Sequence, residues 1–237
     1  MLAFMVDVGD REEVTGRVGL TLVVEAARAL GLDALVEGQL NVAKRRRGAA
    51  AYARVEALLL LIAAGGDRVE DIRVLAKDKG LLRLLGECLP SPDALLRLLN
   101  GFDDPTVWTQ RPPDEKSWVP PETAPLRALF EINRTVVARA ASSATTIATI
   151  DHDGTIIEAH KRDALIAYEG TRGYQPLVAV WVEEDLMGVD PILSRAGGFS
   201  NSDGYAKVVD GWPGEDQARG ARWCREQDPD RGPRGVA

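Results

Sequence analysis

The sequence predicts an α+β chain, with an all-helical N-terminal module, an incomplete α/β core and an irregular, poorly ordered tail. Three observations lead there. Apolar residues recur at helical spacing through the first hundred residues. A proline-dense stretch then breaks the pattern. Beyond it come short β-branched runs, and periodicity fades after about residue 186. The divisions that follow are 1–101, helical; 102–123, a Pro-rich linker; 124–185, the partial core; and 186–237, the tail.

The first helix is expected over residues 18–30, where Leu22, Ala26, Ala29 and Leu30 repeat every three or four positions and Gly31 provides a stop. A second should run from about 49 to 64 and end at Gly65-Gly66. Asp67 is expected to cap a third, whose Val69, Ile72, Leu75 and Ala76 share one face. Residues 81–85 make a short turn closed by Gly86. In L-P-S-P-D-A-L-L-R-L-L-N-G (89–101), Ser91 is the N-cap, Pro92 takes the first helical position, where its missing N–H costs nothing, and Asp93 favours the positive helix end.

Asp103-Asp104-Pro105, Pro112-Pro113 and Pro120-Pro121 deny residues 102–125 both helix interior and central strand. An amphipathic helix with Leu126, Leu129, Phe130, Ile132, Val136 and Val137 should follow. It leads to a strand over 145–150, and 177–182 is the second good strand.

Bulk properties exclude several classes. A net charge of -7 argues against non-specific nucleic-acid binding by the whole chain, so any polyanion contact must be local. Cys88 and Cys224 lie far apart and outside metal spacing, which offers neither a disulfide framework nor a zinc site. Residues 1–13 are acidic where a signal peptide would be basic, and the apolar run 57–64 is far shorter than a span of about 20 residues. The expected setting is the cytoplasm, with no membrane partner.

The stretch I-A-T-I-D-H-D-G-T-I-I (147–157) sets two carboxylates, Asp151 and Asp153, one residue apart at the end of a β-branched run. Two chemistries use such a pair. In one, the motif resembles the haloacid-dehalogenase phosphatases, which implies Asp151 as the nucleophile on phosphorus and Asp153 as acid and base beside Mg²⁺. That fold needs a long Rossmann-like remainder, and its later motifs cannot be placed in residues 156–237.

The other reading comes from the flanks. G-G-D-R-V-E-D-I (65–72), L-L-G-E-C-L-P-S-P-D-A-L-L-R-L-L (84–99), T-I-D-H-D-G-T-I-I-E-A-H-K-R (149–162) and Y-E-G-T-R-G-Y-Q-P-L-V-A-V-W (168–181) together resemble the insertion-sequence DDE transposases of the group-one type, over roughly residues 17–185. The resemblance implies an RNase H-like core whose first strand carries the first acidic residue of the set, here Asp153 by its D-x-T context, with Asp151 the second choice. It implies Mg²⁺ or Mn²⁺ as cofactor and the terminal inverted repeats of a transposon as the DNA partner. Two such ions about 3.5–4 Å apart activate the attacking oxygen and stabilise the leaving one, and hard cations of this kind take oxygen ligands, here carboxylates from separate parts of the fold.

The family's second Asp and final Glu come from beyond the second strand, and L-M-G-V-D-P-I-L-S-R-A-G-G-F-S-N-S-D-G-Y (186–205) does not continue its pattern. Asp203 and Asp210 are the nearest substitutes, but neither follows a credible strand. The expectation is a coding frame shifted, or an element decayed, near residue 186. The chain is then catalytically incomplete, or a non-catalytic DNA-binding regulator that occupies the ends.

Other residues carry weaker signals. Lys44, Arg45, Arg46 and Arg47 form a local basic cluster suited to phosphates or, equally, to a solvated helix approach. Arg97 and Asn100 are the residues helix 92–100 could turn to a base, though its leucines at 95, 96, 98 and 99 point to core packing. Lys161 and Arg162, with His160, follow the first strand within reach of a DNA backbone. His152 is expected on the strand face opposite both aspartates, in a structural role. Arg172 lies in a hairpin-like G-T-R-G between Tyr168 and Tyr174, both read as packing groups. A homo-oligomer is allowed, and the sequence leaves self-pairing open.

Overall fold

The structure, a computed structural model, describes residues 14–42, 49–86, 88–113, 121–141, 149–160, 164–167, 169–183 and 186–196. It is α+β, as the sequence predicts: helices through the first 140 residues, then a small antiparallel sheet.

Helix α1 (Leu20–Ala29) ends where expected, because Gly31 adopts φ 66°, which lets the chain reverse at once into α2 (Leu32–Gln39). Nothing in the sequence pattern marked α2 as a helix. Its Leu32, Leu35 and Val36 are correctly spaced for one, yet they fill barely two turns. Helix α3 (Ala51–Ala63) follows the predicted bounds closely.

The third helix differs from expectation. Asp71, not Asp67, organises the turn: its Oδ2 accepts the backbone N–H groups of Asp67 at 3.1 Å and Arg68 at 3.0 Å. The segment therefore tightens into a 3₁₀ turn, Val69–Asp71, before the single turn of α4 (Ile72–Leu75). Residues 81–85 belong to α5 (Lys79–Leu85), capped by Asp78. Helix α6 (Pro92–Asn100) begins as predicted, with Ser91 Oγ accepting from the Ala94 N–H.

Within the proline-rich stretch a one-turn helix, α7 (Pro105–Trp108), forms because Asp104 caps it and Pro105 occupies its first position. Helix α8 (Ala124–Ala140) is capped by Thr123, whose hydroxyl also donates to the Phe102 carbonyl across that stretch.

Two apolar clusters hold the helices. Leu20 and Val24 of α1 meet Leu60 of α3, Ile72 of α4, Leu81 of α5 and Leu95 of α6. Leu35 and Val36 of α2 meet Leu98 of α6 and Ile132 of α8. Each fully buried leucine stabilises by roughly 1.5–3 kcal/mol. Helix α8, which the sequence divides from the helical module at residue 102, thus shares a core with it. Burial of Ile132 against α2 and α6 outweighs the local break in pattern.

The sheet is built around one strand, β4 (Arg172–Trp181). Along one flank run β1 (Ile150–Gly154) and β2 (Ile157–Glu158), which keep a single antiparallel register from Ile150 opposite Trp181 to Glu158 opposite Gly173. Along the other run β3 (Leu165–Ile166) and β5 (Leu186–Ala196). The β3–β4 turn closes with the Ala167 N–H on the Thr171 carbonyl, and Gly170 takes φ 83°.

Three strand expectations change. The first strand is described from Ile150 and runs through the acidic motif instead of ending before it; residues 142–148 lie outside the described residues. The second begins at Arg172, ahead of Pro176, because the register shift between Gln175 and Leu177 accommodates the residue that lacks an N–H. The irregular tail does not begin at 186. Residues 186–196 form β5, paired with β4 from Leu186 opposite Trp181 to Ala196 opposite Tyr174. Pro191 falls in that strand's irregular stretch between Asp190 and Arg195, which an edge strand tolerates. Residues 197–237 lie outside the described residues.

A candidate acidic site on an edge strand

The backbone hydrogen bonds fix how β1 presents its motif. Val182 donates to the Thr149 carbonyl at 3.0 Å, and Thr155 donates to the Pro176 carbonyl at 3.2 Å. Antiparallel ladders alternate, so Asp151 and Asp153 occupy hydrogen-bonded positions opposite Val180 and Val178. The N–H and C=O of His152, between them, are directed to the other flank, where no strand lies among the described residues. Among the described residues the motif is therefore carried on an edge.

The Asp151 side chain is exposed and has no hydrogen bond or ion pair among the described residues. Asp153 is described by its backbone alone. Its side chain, and that of His152, lie outside the described residues.

The start of β1 is clamped by a residue that no sequence motif marks. Glu183, just past the end of β4, accepts the Thr149 N–H at 2.7 Å and the Thr149 hydroxyl at 2.5 Å. Those bonds, the hydroxyl's first, hold the Glu183 carboxyl below the usual carboxylate range despite some loss of water. A carboxylate so engaged positions the strand. Its only sequence signal is its place immediately after a strand.

Of the basic candidates, Arg172 and Arg97 fall among the described residues. Arg172 is exposed on β4 opposite Ile166, eight positions from Val180, so roughly 26 Å of strand separates it from Asp151. Arg97 is exposed on α6 and unpaired among the described residues. Leu95 and Leu98 form that helix's buried side, and Leu96 and Leu99 are 48% and 41% exposed, so half of the leucines read as core are at the surface. Lys44, Arg45, Arg46, Arg47, Lys161 and Arg162 lie outside the described residues, as do Asp203, Asp210, Tyr168 and Cys224. His160 is exposed, 3.9 Å from Glu158, and pairs with it only when protonated. Tyr174 packs edge-on against Trp108, with ring centroids 6.4 Å apart.

Among the described residues no three His, Cys, Asp or Glu side chains gather as a metal-binding group. Mg²⁺ is typically held by one or two carboxylates, with water and substrate oxygens completing its shell, and Asp151 is the one carboxylate of the D-H-D motif whose side chain is described. No described helix is long and apolar enough to cross a membrane.

Comparison of the chain with protein-family models, with curated proteins and with solved structures finds no match.

Proposed function

We propose that this chain is a relative of the insertion-sequence DDE transposases, with a DNA-end-binding helical part and the opening strands of an RNase H-like core, but without a complete metal-binding set. One observation carries the reading: D-H-D lies inside β1, the first strand of an antiparallel sheet, flanked by an edge that stays open among the described residues. A carboxylate on a rigid strand is the anchor such chemistry requires. The DNA partner is the transposon's terminal inverted repeats, met in the cytoplasm, and Mg²⁺ or Mn²⁺ belongs to the complete family members.

In this form the chain acts as a DNA-binding regulator that occupies the ends. That role is supported by the sequence after residue 186, which does not continue the family's pattern toward its second Asp and final Glu. The phosphatase reading draws no support from the sheet. A Rossmann-like enzyme sets its site outside the carboxyl ends of parallel strands, whereas Asp151 lies within an antiparallel one.

The test is incubation of the full chain with duplexes bearing the element's ends. Salt-sensitive binding that prefers those ends, without strand cleavage in Mg²⁺ or Mn²⁺, is the expected result. Cleavage abolished by Asp153→Ala overturns the catalytic incompleteness. Absence of binding at low salt overturns the DNA reading.

A further inference from the structure

A cleft of about 470 Å³ opens where the chain ahead of α1 crosses the start of α5, lined by Val14, Arg17, Lys77, Asp78, Lys79 and Gly80 among others. Its floor is a fixed carboxylate. The Asp78 side chain, 8% exposed, accepts from Thr15 Oγ1 at 2.7 Å, Arg17 Nη1 at 3.0 Å and the Leu81 N–H at 2.9 Å. Its bonding thus ties Arg17, itself 41% exposed, to one side of the opening. The other N–H donors of that guanidinium have no partner among the described residues.

On either side of Asp78 in sequence are Lys77 and Lys79, both exposed and neither with a side-chain hydrogen bond or ion pair to any described residue. The cleft lining itself holds three cations, Arg17, Lys77 and Lys79, against the single acid Asp78, in a chain of net charge -7. Cations concentrated against the overall charge, one of them pre-oriented by a buried acid, match a polyanion with regularly spaced single charges.

We infer that this cleft is a second contact for the phosphodiester backbone of duplex DNA, in which Arg17, Lys77 and Lys79 grip phosphates. The inference rests on the DNA-binding reading above and adds to it a site apart from the Lys44–Arg47 run and from β1. Phosphate contacts hold register without reading bases, so the cleft strengthens binding equally for every sequence.

The full chain is titrated by fluorescence anisotropy against a duplex bearing the terminal repeat and a scrambled one, over a series of salt concentrations. Lys77→Ala/Lys79→Ala is compared with wild type and with a variant in which Lys44, Arg45, Arg46 and Arg47 are all alanine. Because the Lys77 and Lys79 side chains are exposed and unbonded, the double variant should melt like wild type. It should bind both duplexes on the order of tenfold more weakly and flatten the log–log salt slope by about two, one for each phosphate no longer gripped by a lysine. An unchanged slope and affinity in that variant, with binding abolished only in the Lys44–Arg47 variant, overturns the cleft and leaves the DNA reading standing. No binding of either duplex by wild type at low salt overturns both.

Discussion

Asp78 offers the sharpest test of how the helical body is held. Replacing it by alanine removes the N-cap of α5, which costs about 1 kcal/mol. It also removes the acceptor of the part-buried Thr15 hydroxyl, for about 1 kcal/mol more. The Arg17 bond is discounted because its guanidinium is well exposed to solvent. Asp78→Ala should therefore lose about 2 kcal/mol near neutral pH, which lowers Tm by roughly 4–8 °C in a chain of this size. Burial alone would raise the Asp78 carboxyl, but the Leu81 N–H, the Thr15 hydroxyl and Arg17 outweigh it and hold the group below its ordinary value. Its folded pKa lies under its unfolded one, about 3.9, so the ionised group's contribution is complete above that value and is lost as pH falls through the folded one. Asp78→Asn retains a good N-cap and isolates the charge. Denaturant titrations followed by circular dichroism should show the Asn deficit in full at neutral pH and shrinking below about pH 4. A deficit equal at neutral pH and about pH 3, or an alanine cost under about 0.5 kcal/mol, would refute the clamp.

Three further substitutions probe the core and the sheet. Leu98→Ala empties a position 1% exposed in the cluster shared by α2, α6 and α8, and should cost about 2–5 kcal/mol in the same titration. Gly31→Ala imposes a side chain at φ 66° and sets its Cβ 2.6 Å from Arg139 Nη1, which donates to the Leu30 carbonyl. A loss of about 1–2 kcal/mol is expected, and a Tm equal to wild type would mean the turn is not as described. Gly173→Ala places a Cβ 2.5 Å from the Ile157 carbonyl oxygen, a backbone atom that cannot swing away. Hydrogen exchange of the β4 amides should accelerate in that variant, whereas the helical amides keep their protection.

Much of the helical half is legible because its signals are local. Ser91-Pro92, Gly31 and Gly86 each announce an end within a turn of the residues they end. What escapes depends on distance in sequence. The Asp78 clamp joins residues 63 apart, and α8, read correctly as a helix, packs on Leu35, Val36 and Leu98, which lie far from it in sequence. Asp71 displaces Asp67 as the capping acid through two backbone bonds that composition cannot weigh. In the sheet, Pro176 and Pro191 read as interruptions because proline denies a ladder bond; the register shift that absorbs them exists only once the strands are paired. For the candidate site, the acidic pair is visible in sequence and its edge position is not, because an edge is defined by what lies beside it.

On the proposed transposase reading, that edge bears on why one strand would not complete the chemistry. Alternate residues on a strand stand about 6.6 Å apart, while a Mg²⁺ ion holds its oxygens at about 2.0–2.1 Å in near-octahedral array. Asp151 and Asp153 alone leave most coordination positions to water, and a weakly held ion is poorly placed to polarise a phosphodiester. A strand hydrogen-bonded to the free flank of β1 would lie only about 4.8 Å away, close enough for a carboxylate on it to share an ion with one on β1. On the proposed transposase reading, the flank opposite β4 is where a second carboxylate would turn an anchor into a clamp. The continuation through β5 does not supply it, because β5 lies across β4 on the far side of the sheet.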